Sequence, residues 1–411
     1  MQDSLQQKIG AINSGLLIAL IFFVPISTSL SSVLAVLIML LWLAEGNLAS
    51  KFRKILQNEL ALALLAYISL FIIGLLWTDD LAWGLKQTKK QWKLLLYLPL
   101  LTTARREHYR HYFISFISAM LLSAILSFLL WLEIIHFKDV LPRYPIPFNS
   151  HISYNPLLAL ALYLVYHRMI FTPQHQPRQL ATLLVAGIAM TGSMFITTGR
   201  TGQIAFFVLT ALLALQYFSK RIVAGIMAVI VLVPLLLTTA YYLGPGFRAR
   251  ITEAVSDIRE YRSKPEKSTA QRLTFAENSL KMAADSIWIG VGTGDFPAEY
   301  RKTNEKNSPA FAPVDDPHNH YLLVLTQFGL VGLATFLSIF VVQLRQAFTI
   351  NDGYRHFRVA LPIFYLTIMT GGTYLLGQEL SLCFAIGSAL LYKSTGPPGA
   401  SAQPPAANHP V

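Results

Sequence analysis

Charge is scarce in this chain. Of its 411 residues only 13% are Asp, Glu, Lys or Arg, about half of what a soluble domain carries. That excludes an ordinary water-soluble globular domain. Cysteine is nearly absent: Cys383 stands alone, which excludes disulfides and multi-cysteine metal sites. It falls within an apolar run and reads as a small packing residue. No internal repeat is visible, and the notable charges avoid the middle of the apolar runs. Both absences argue against a transporter or flippase, which places charges near the midplane and is often built from inverted repeats.

What the chain does have is long hydrophobic stretches. Apolar residues make up 54% of it, and the mean hydropathy is +0.49. Runs of about 17–25 residues, the length that spans a bilayer, recur from end to end. The pattern predicts an all-α polytopic membrane protein with about twelve transmembrane helices. They fall near 13–28, 31–46, 59–78, 84–103, 112–136, 153–170, 179–197, 201–218, 222–243, 319–344, 357–377 and 380–394. The first run follows a polar start containing Lys8 and has no small-residue cleavage site after it, so it reads as a retained helix. The organisation expected is nine helices in 1–243, a loop domain at 244–318, three helices in 319–395 and a disordered tail at 396–411, rich in Pro, Ala and Ser.

Short loops alternate in basic content. Lys51, Arg53, Lys54, Arg105, Arg106, Arg110, Arg168, Arg178, Lys220, Arg221, Arg345, Arg355 and Arg358 gather on one side. The positive-inside rule makes that side cytoplasmic. Both termini are then cytoplasmic, and the loop at 244–318 faces outward, into the periplasm of a bacterium. The net charge of +12 follows largely from this topology. The cytoplasmic segments hold 15 basic against 5 acidic residues, and the long loop holds 11 of each. No nucleic-acid partner is implied. Only Lys86, Lys89, Lys90 and Lys93 remain unexplained. Their i, i+3, i+4, i+7 spacing predicts one helix face, suited to lipid phosphates or to interfacial snorkelling.

The outer loop carries helical signals. Ser268-Thr269-Ala270-Gln271 fits a capping box, and Leu273, Ala276, Leu280, Ala283 and Ile287 follow at helical spacing. The run Gly290-Val291-Gly292-Thr293-Gly294 is expected to end that helix, and Phe247 to Arg262 predicts another. Together they predict a small helical cap over the membrane domain.

The polar segment Asp315-Asp316-Pro317-His318-Asn319-His320-Tyr321 runs straight into an apolar stretch containing Gly329 and Gly332. Asp316-Pro317 reads as N-cap and N1 of a helix, which puts His318 in its first turn. The helix dipole there favours a neutral imidazole, the form a general base needs. A histidine that merely caps its helix fits the spacing at least as well. His320, two residues on, reads as structural or interfacial. Arg200, in Thr197-Thr198-Gly199-Arg200-Thr201-Gly202, lies in a tight outer turn. It either snorkels or grips a phosphate bidentately. Arg272 starts the loop helix, as a surface residue or as a second phosphate ligand. Asp315-Asp316 is the only acidic pair near His318, and adjacent carboxylates seldom share one cation, so no metal site is expected.

These residues resemble the O-antigen ligase and polymerase superfamily (the WaaL/Wzy group). His318-Asn319 followed by Gly329 and Gly332 looks like its histidine motif, and Gly199-Arg200-Thr201-Gly202 like its arginine turn. Ser268 through Phe296, with Arg272 and Gly292, is similar to its loop helix. The resemblance covers about 150–335 and adds nothing but topology for the first 150 residues. It implies a GT-C-like glycosyltransferase, working without metal or other cofactor in the inner membrane of a Gram-negative bacterium. It implies His318, Arg200 and Arg272 as catalytic and Asn319 and Gly292 as substrate-binding; Lys86, Lys89, Lys90 and Lys93, outside the stretch it covers, are expected as substrate-binding from their charge and spacing. The implied donor is an O-antigen on undecaprenyl pyrophosphate, the acceptor the lipid A–core, with membrane lipids around both. A single sizeable outer loop and a short tail favour a ligase over a polymerase or a protein O-oligosaccharyltransferase.

Overall fold

The computed structural model describes residues 2–148, 150–172, 174–259 and 268–393. The tail at 396–411 and the far end of the predicted Phe247–Arg262 helix, 260–262, lie outside the described residues. Among those residues the chain is helical, with no strand. The helices are α1 (Gln2–Phe23), α2 (Thr28–Ala44), α3 (Leu48–Leu56), α4 (Glu59–Ile73), α5 (Leu81–Lys90), α6 (Trp92–Leu95), α7 (Tyr97–Thr103), α8 (Tyr109–Trp131) and α9 (His151–Phe171). There follow α10 (Pro177–Ile196), α11 (Arg200–Tyr217), α12 (Ile222–Leu243), α13 (Pro245–Arg259), α14 (Ser268–Asp285), α15 (Phe296–Asn307), α16 (His320–Thr349), α17 (Arg355–Ile368) and α18 (Gln378–Leu391).

Each of the twelve predicted intervals contains helix. Six helical stretches are long and apolar enough to cross a membrane, and a seventh is added if α2 and α3, bent by 115°, count as one. The fold is that of a polytopic membrane protein. The interval 84–103 is not one helix: it breaks at Gln91 and Leu96 into α5, α6 and α7. The outer loop, expected to hold two or more helices, holds α13, α14 and also α15 among the described residues. The signal for α15 was in the sequence: Pro297 stands in its first turn, where proline is pre-organised.

The chain divides into two compact units. One contains the described residues of Met1–Lys54, Leu98–Phe247 and Ile386–Val411; the other contains Ile55–Tyr97 and Arg248–Ala385. In the first, α9 packs on both α10 and α11. Its interior is partly polar, and α9 and α11, unlike α10, fall below the apolarity of a lipid-bathed span. Tyr163 Oη donates to Gln216 Oε1 at 3.0 Å, and Asn155 Nδ2 donates to Thr197 Oγ1 at 2.9 Å. These donors gain partners, as hydrocarbon surroundings demand, while Asn155 Oδ1 is buried without one. In contrast, α12 is apolar all round with most of its side chains exposed, the character of a lipid-facing helix.

In the second unit α16 packs against α4, α14 and α17. Although α16 is helical on either side of Gly329, that glycine has φ 62° and ψ −160°. The chain turns back there. The His320 and Phe336 rings lie 5.0 Å apart and those of Tyr321 and Phe336 6.0 Å. Sixteen residues of straight helix would separate them by about 24 Å. The interval 319–344 is therefore a helical hairpin, His320–Phe328 folded against a membrane-length arm from Leu330 to Thr349. The apolar periodicity runs through both arms, so the single predicted helix is corrected here.

Candidate active site

The break in α16 leaves carbonyls at the end of one arm and N–H groups at the start of the next without helical partners. One loop satisfies both. Val291 N donates to Thr326 O at 2.9 Å and Gly292 N to Gln327 O at 3.0 Å; Leu330 N donates to Ile287 O at 2.8 Å and Val331 N to Trp288 O at 3.2 Å. The two backbones cross at Gly290 and Gly329. A Cβ on Gly290 would stand 2.3 Å from Gln327 C, and one on Gly329 2.2 Å from Trp288 C. The glycine run at 290–294 is thus a crossing point rather than a phosphate cradle. Thr293 N donates to Gly74 O at 3.3 Å and Gly294 N to Thr78 Oγ1 at 3.1 Å. The Gly292 N–H is committed to Gln327 O.

The hairpin sets the histidine segment. Asn319, not Asp316, caps the helix: its Oδ1 accepts from Leu322 N at 3.1 Å, and its Nδ2 donates to Thr370 O at 3.2 Å. Each end of its amide thus has one protein partner, a structural role in addition to the substrate-binding one expected of it. Replacing Asn319 with Ala is expected to lower the thermal midpoint by the equivalent of about 1 kcal/mol, the usual worth of an N-cap. An unchanged melting curve in detergent would refute the cap.

Asp316 does a different job from the one predicted. Its Oδ1 accepts from the His318 N–H at 2.7 Å, and its Oδ2 accepts from Thr373 Oγ1. This tight turn puts His318 at φ 52°, in the left-handed region. His318 therefore precedes the helix and lies outside its first turn, which removes the expected dipole placement. Asparagine at 319 competes better for the capping position because its own backbone is extended there.

His318 is exposed, and its ring packs 5.8 Å from that of Phe275 on α14. Arg272 is exposed on the same helix, one turn before Phe275. Beneath them Phe275, Met282, Phe296, Tyr300 and Leu323 form an apolar core joining α14, α15 and the short arm of α16. At the head of α14, Thr269 N donates to Asp257 Oδ2 at 3.3 Å; the Ser268 side chain of the predicted capping box lies outside the described residues. His320 is structural. It is buried, its Nε2 lies 2.9 Å from Tyr67 Oη, and its N–H donates to Met369 O at 2.9 Å.

The lysines divide. Lys86 and Lys89 are exposed and Lys90 half-buried on α5; Lys86 Nζ lies 4.4 Å over the Trp83 ring. Lys93 lies past the break at Gln91, is buried, and donates to Leu376 O at 2.6 Å. The expected single face is corrected to three accessible cations and one internal one. The helix α5 that carries the accessible three lies in the same compact unit as the histidine turn. The Asp295 carboxylate fixes the start of that helix, accepting from Asp79 N at 2.9 Å and Asp80 N at 2.8 Å. Sequence reasoning passed over Asp295 and Thr373, since neither has a local partner.

Arg200 belongs to the other compact unit. It is the first residue of α11, half-buried. Its flanking glycines admit α9: a Cβ on Gly199 would meet the Asn155 side chain at 2.5 Å, and one on Gly202 the Asn155 carbonyl carbon at 2.3 Å. Gln203 Nε2 closes the turn by donating to Thr197 O at 3.2 Å. The structure thus places His318, Arg272 and the lysine helix in one unit and Arg200 in the other. Among the described residues no group of three or more His, Cys, Asp or Glu is arranged to hold a metal ion.

Compared with known families, residues 184–337 match the model described as O-Antigen ligase (Wzy_C). The match takes in Arg200, Arg272 and His318 and stops short of the lysine helix. No curated protein matches the chain.

Proposed function

We propose that the protein, whose residues 184–337 match the O-antigen ligase model, is an O-antigen ligase. It transfers O-antigen polysaccharide from undecaprenyl pyrophosphate to a sugar hydroxyl of the lipid A–core. On this reading twelve helices in a GT-C-like architecture lie in a Gram-negative inner membrane with both termini cytoplasmic, and 244–318 forms the periplasmic cap. The observation that carries the reading is the packing of exposed His318 on Phe275 of α14, one turn from Arg272, in the compact unit that also holds the lysine helix.

The roles follow from the chemistry. An imidazole nitrogen of His318 takes the proton of the acceptor hydroxyl. The oxygen attacks the anomeric carbon from the face opposite the leaving group, and the bond from that carbon to the phosphate oxygen breaks with inversion. Negative charge grows on the departing pyrophosphate. Arg200 and Arg272 hold it, doing by fixed positive charge what a metal ion does elsewhere. Lys86, Lys89 and Lys90 gather the phosphates of the lipid-anchored substrates. Lys93, turned inward onto Leu376, supports that helix.

The test is reconstitution with lipid-linked glycan and purified lipid A–core. Polymer-capped product that forms equally with and without chelator supports the reading; no transfer in either refutes it. In cells, loss of the gene should leave bare core while lipid-linked polymer accumulates. Core bearing a single repeat would identify a polymerase instead, and movement of lipid-linked sugar without transfer a flippase. Arg200→Lys should lose at least about tenfold in transfer rate, because lysine keeps the charge but not the bidentate fork. Wild-type rates in that variant would return Arg200 to a snorkelling role.

A further inference from the structure

The apex of the α16 hairpin carries an apolar surface that the transfer reaction does not use. Trp288 and Ile289 are 68% and 55% exposed. Both precede the crossing at Gly290, where the chain is tied to the membrane-length arm. Val331, half-exposed on that arm, donates its N–H to Trp288 O at 3.2 Å, and Leu330 donates to Ile287 O at 2.8 Å. From Val331 the exposed positions continue through Ala334, Val341 and Phe348, a stripe at helical spacing along one face.

That stripe says what covers the apex. The arm from Leu330 to Thr349 rises about 30 Å, the thickness of a hydrocarbon core. Its exposed apolar face is the face a bilayer covers in a membrane protein. Trp288 and Ile289 extend the same surface past the end of the arm, at the level where tryptophan is enriched in membrane proteins. An apolar cluster of this size standing in water would be a liability for a lone protein. Continuous with a lipid-facing helix, it has an occupant already.

We infer that Ile287, Trp288, Ile289, Leu330 and Val331 form a lipid anchor, inserted among the acyl chains of the bilayer leaflet that meets the hairpin apex, with Trp288 at its boundary. The anchor holds the crossing at the membrane surface. Through the crossing it fixes the end of α14 and the hairpin that presents the histidine turn. The geometry stands whichever lipid-linked substrate the protein uses, and it needs no glycosyl transfer for its test.

A nitroxide would be placed at Trp288→Cys, at Val331→Cys and at Lys302→Cys, each in a Cys383→Ala background of the full chain in proteoliposomes. Lys302, well exposed on α15, reports water. Collision with oxygen, which concentrates in acyl chains, is compared with collision with a water-soluble nickel chelate. Position 288 is expected to match 331, with an oxygen-to-nickel ratio several-fold above that of 302. A ratio equal to that at 302 overturns the anchor. So does spin–spin broadening at 288 that disappears on dilution with unlabelled protein, because a second copy would then cover the patch. Should Trp288→Cys fail to fold, Ile289→Cys gives the same reading.

Discussion

The His318→Asn variant is expected to insert and fold as the wild type does, yet to lose polymer transfer by about 10²–10⁴-fold, the usual worth of a general base. The choice of asparagine comes from the backbone. His318 holds φ 52°, where most side chains are strained by roughly 1–2 kcal/mol, while Asn adopts the left-handed region readily. The Asp316 carboxylate grips the main-chain N–H of residue 318, so that bond survives the substitution. What disappears is the imidazole, the proposed proton acceptor. His318→Ala removes it too, but adds strain and the loss of the packing on Phe275. Comparing the two separates chemistry from conformation. Equal thermal midpoints for wild type and His318→Asn, with transfer lost, support the base. Transfer within tenfold of wild type in His318→Asn would remove His318 from the mechanism.

The helices were largely legible because each is dictated by its own residues. Apolar runs of bilayer length found helix in every one of the twelve intervals, six or seven of them span-like, and Asn58 and Asp80 cap α4 and α5 through their own side chains. The parts that escaped depend on partners far away in sequence. Nothing near Gly329 distinguishes a hairpin from a straight helix, because apolar residues continue on both sides. The second backbone that demands a glycine comes from Gly290, nearly forty residues earlier. Likewise the glycines around Arg200 are required by Asn155 of α9, which no local pattern reveals. At the histidine turn two capping residues, Asp316 and Asn319, competed three positions apart. Spacing alone favoured the one followed by proline; the contacts of Thr373 and Thr370 decide between them. The lysine stripe was legible as a charge anomaly, but the break at Gln91 that turns Lys93 inward was not.

Gly329→Ala is expected to prevent accumulation of folded protein. Two independent terms act in the same direction. At φ 62° and ψ −160° the backbone occupies a region that is essentially glycine's alone, and an alanine there is strained by about 1–3 kcal/mol. The added carbon would also stand 2.2 Å from the Trp288 carbonyl carbon, which is backbone and cannot rotate away. The crossing must open, and with it the four hydrogen bonds from Val291, Gly292, Leu330 and Val331, each contributing about 0.5–1.5 kcal/mol. The sum is on the order of 5 kcal/mol, comparable to the whole stability of many domains. Gly353→Ala is the control, since Gly353 has φ 84° but no atom within 4 Å of the added carbon. It should lower the thermal midpoint modestly and leave expression intact. If Gly329→Ala melts no lower than Gly353→Ala, the backbones do not cross there, and the hairpin that carries His318 to its place is not the structure of this protein.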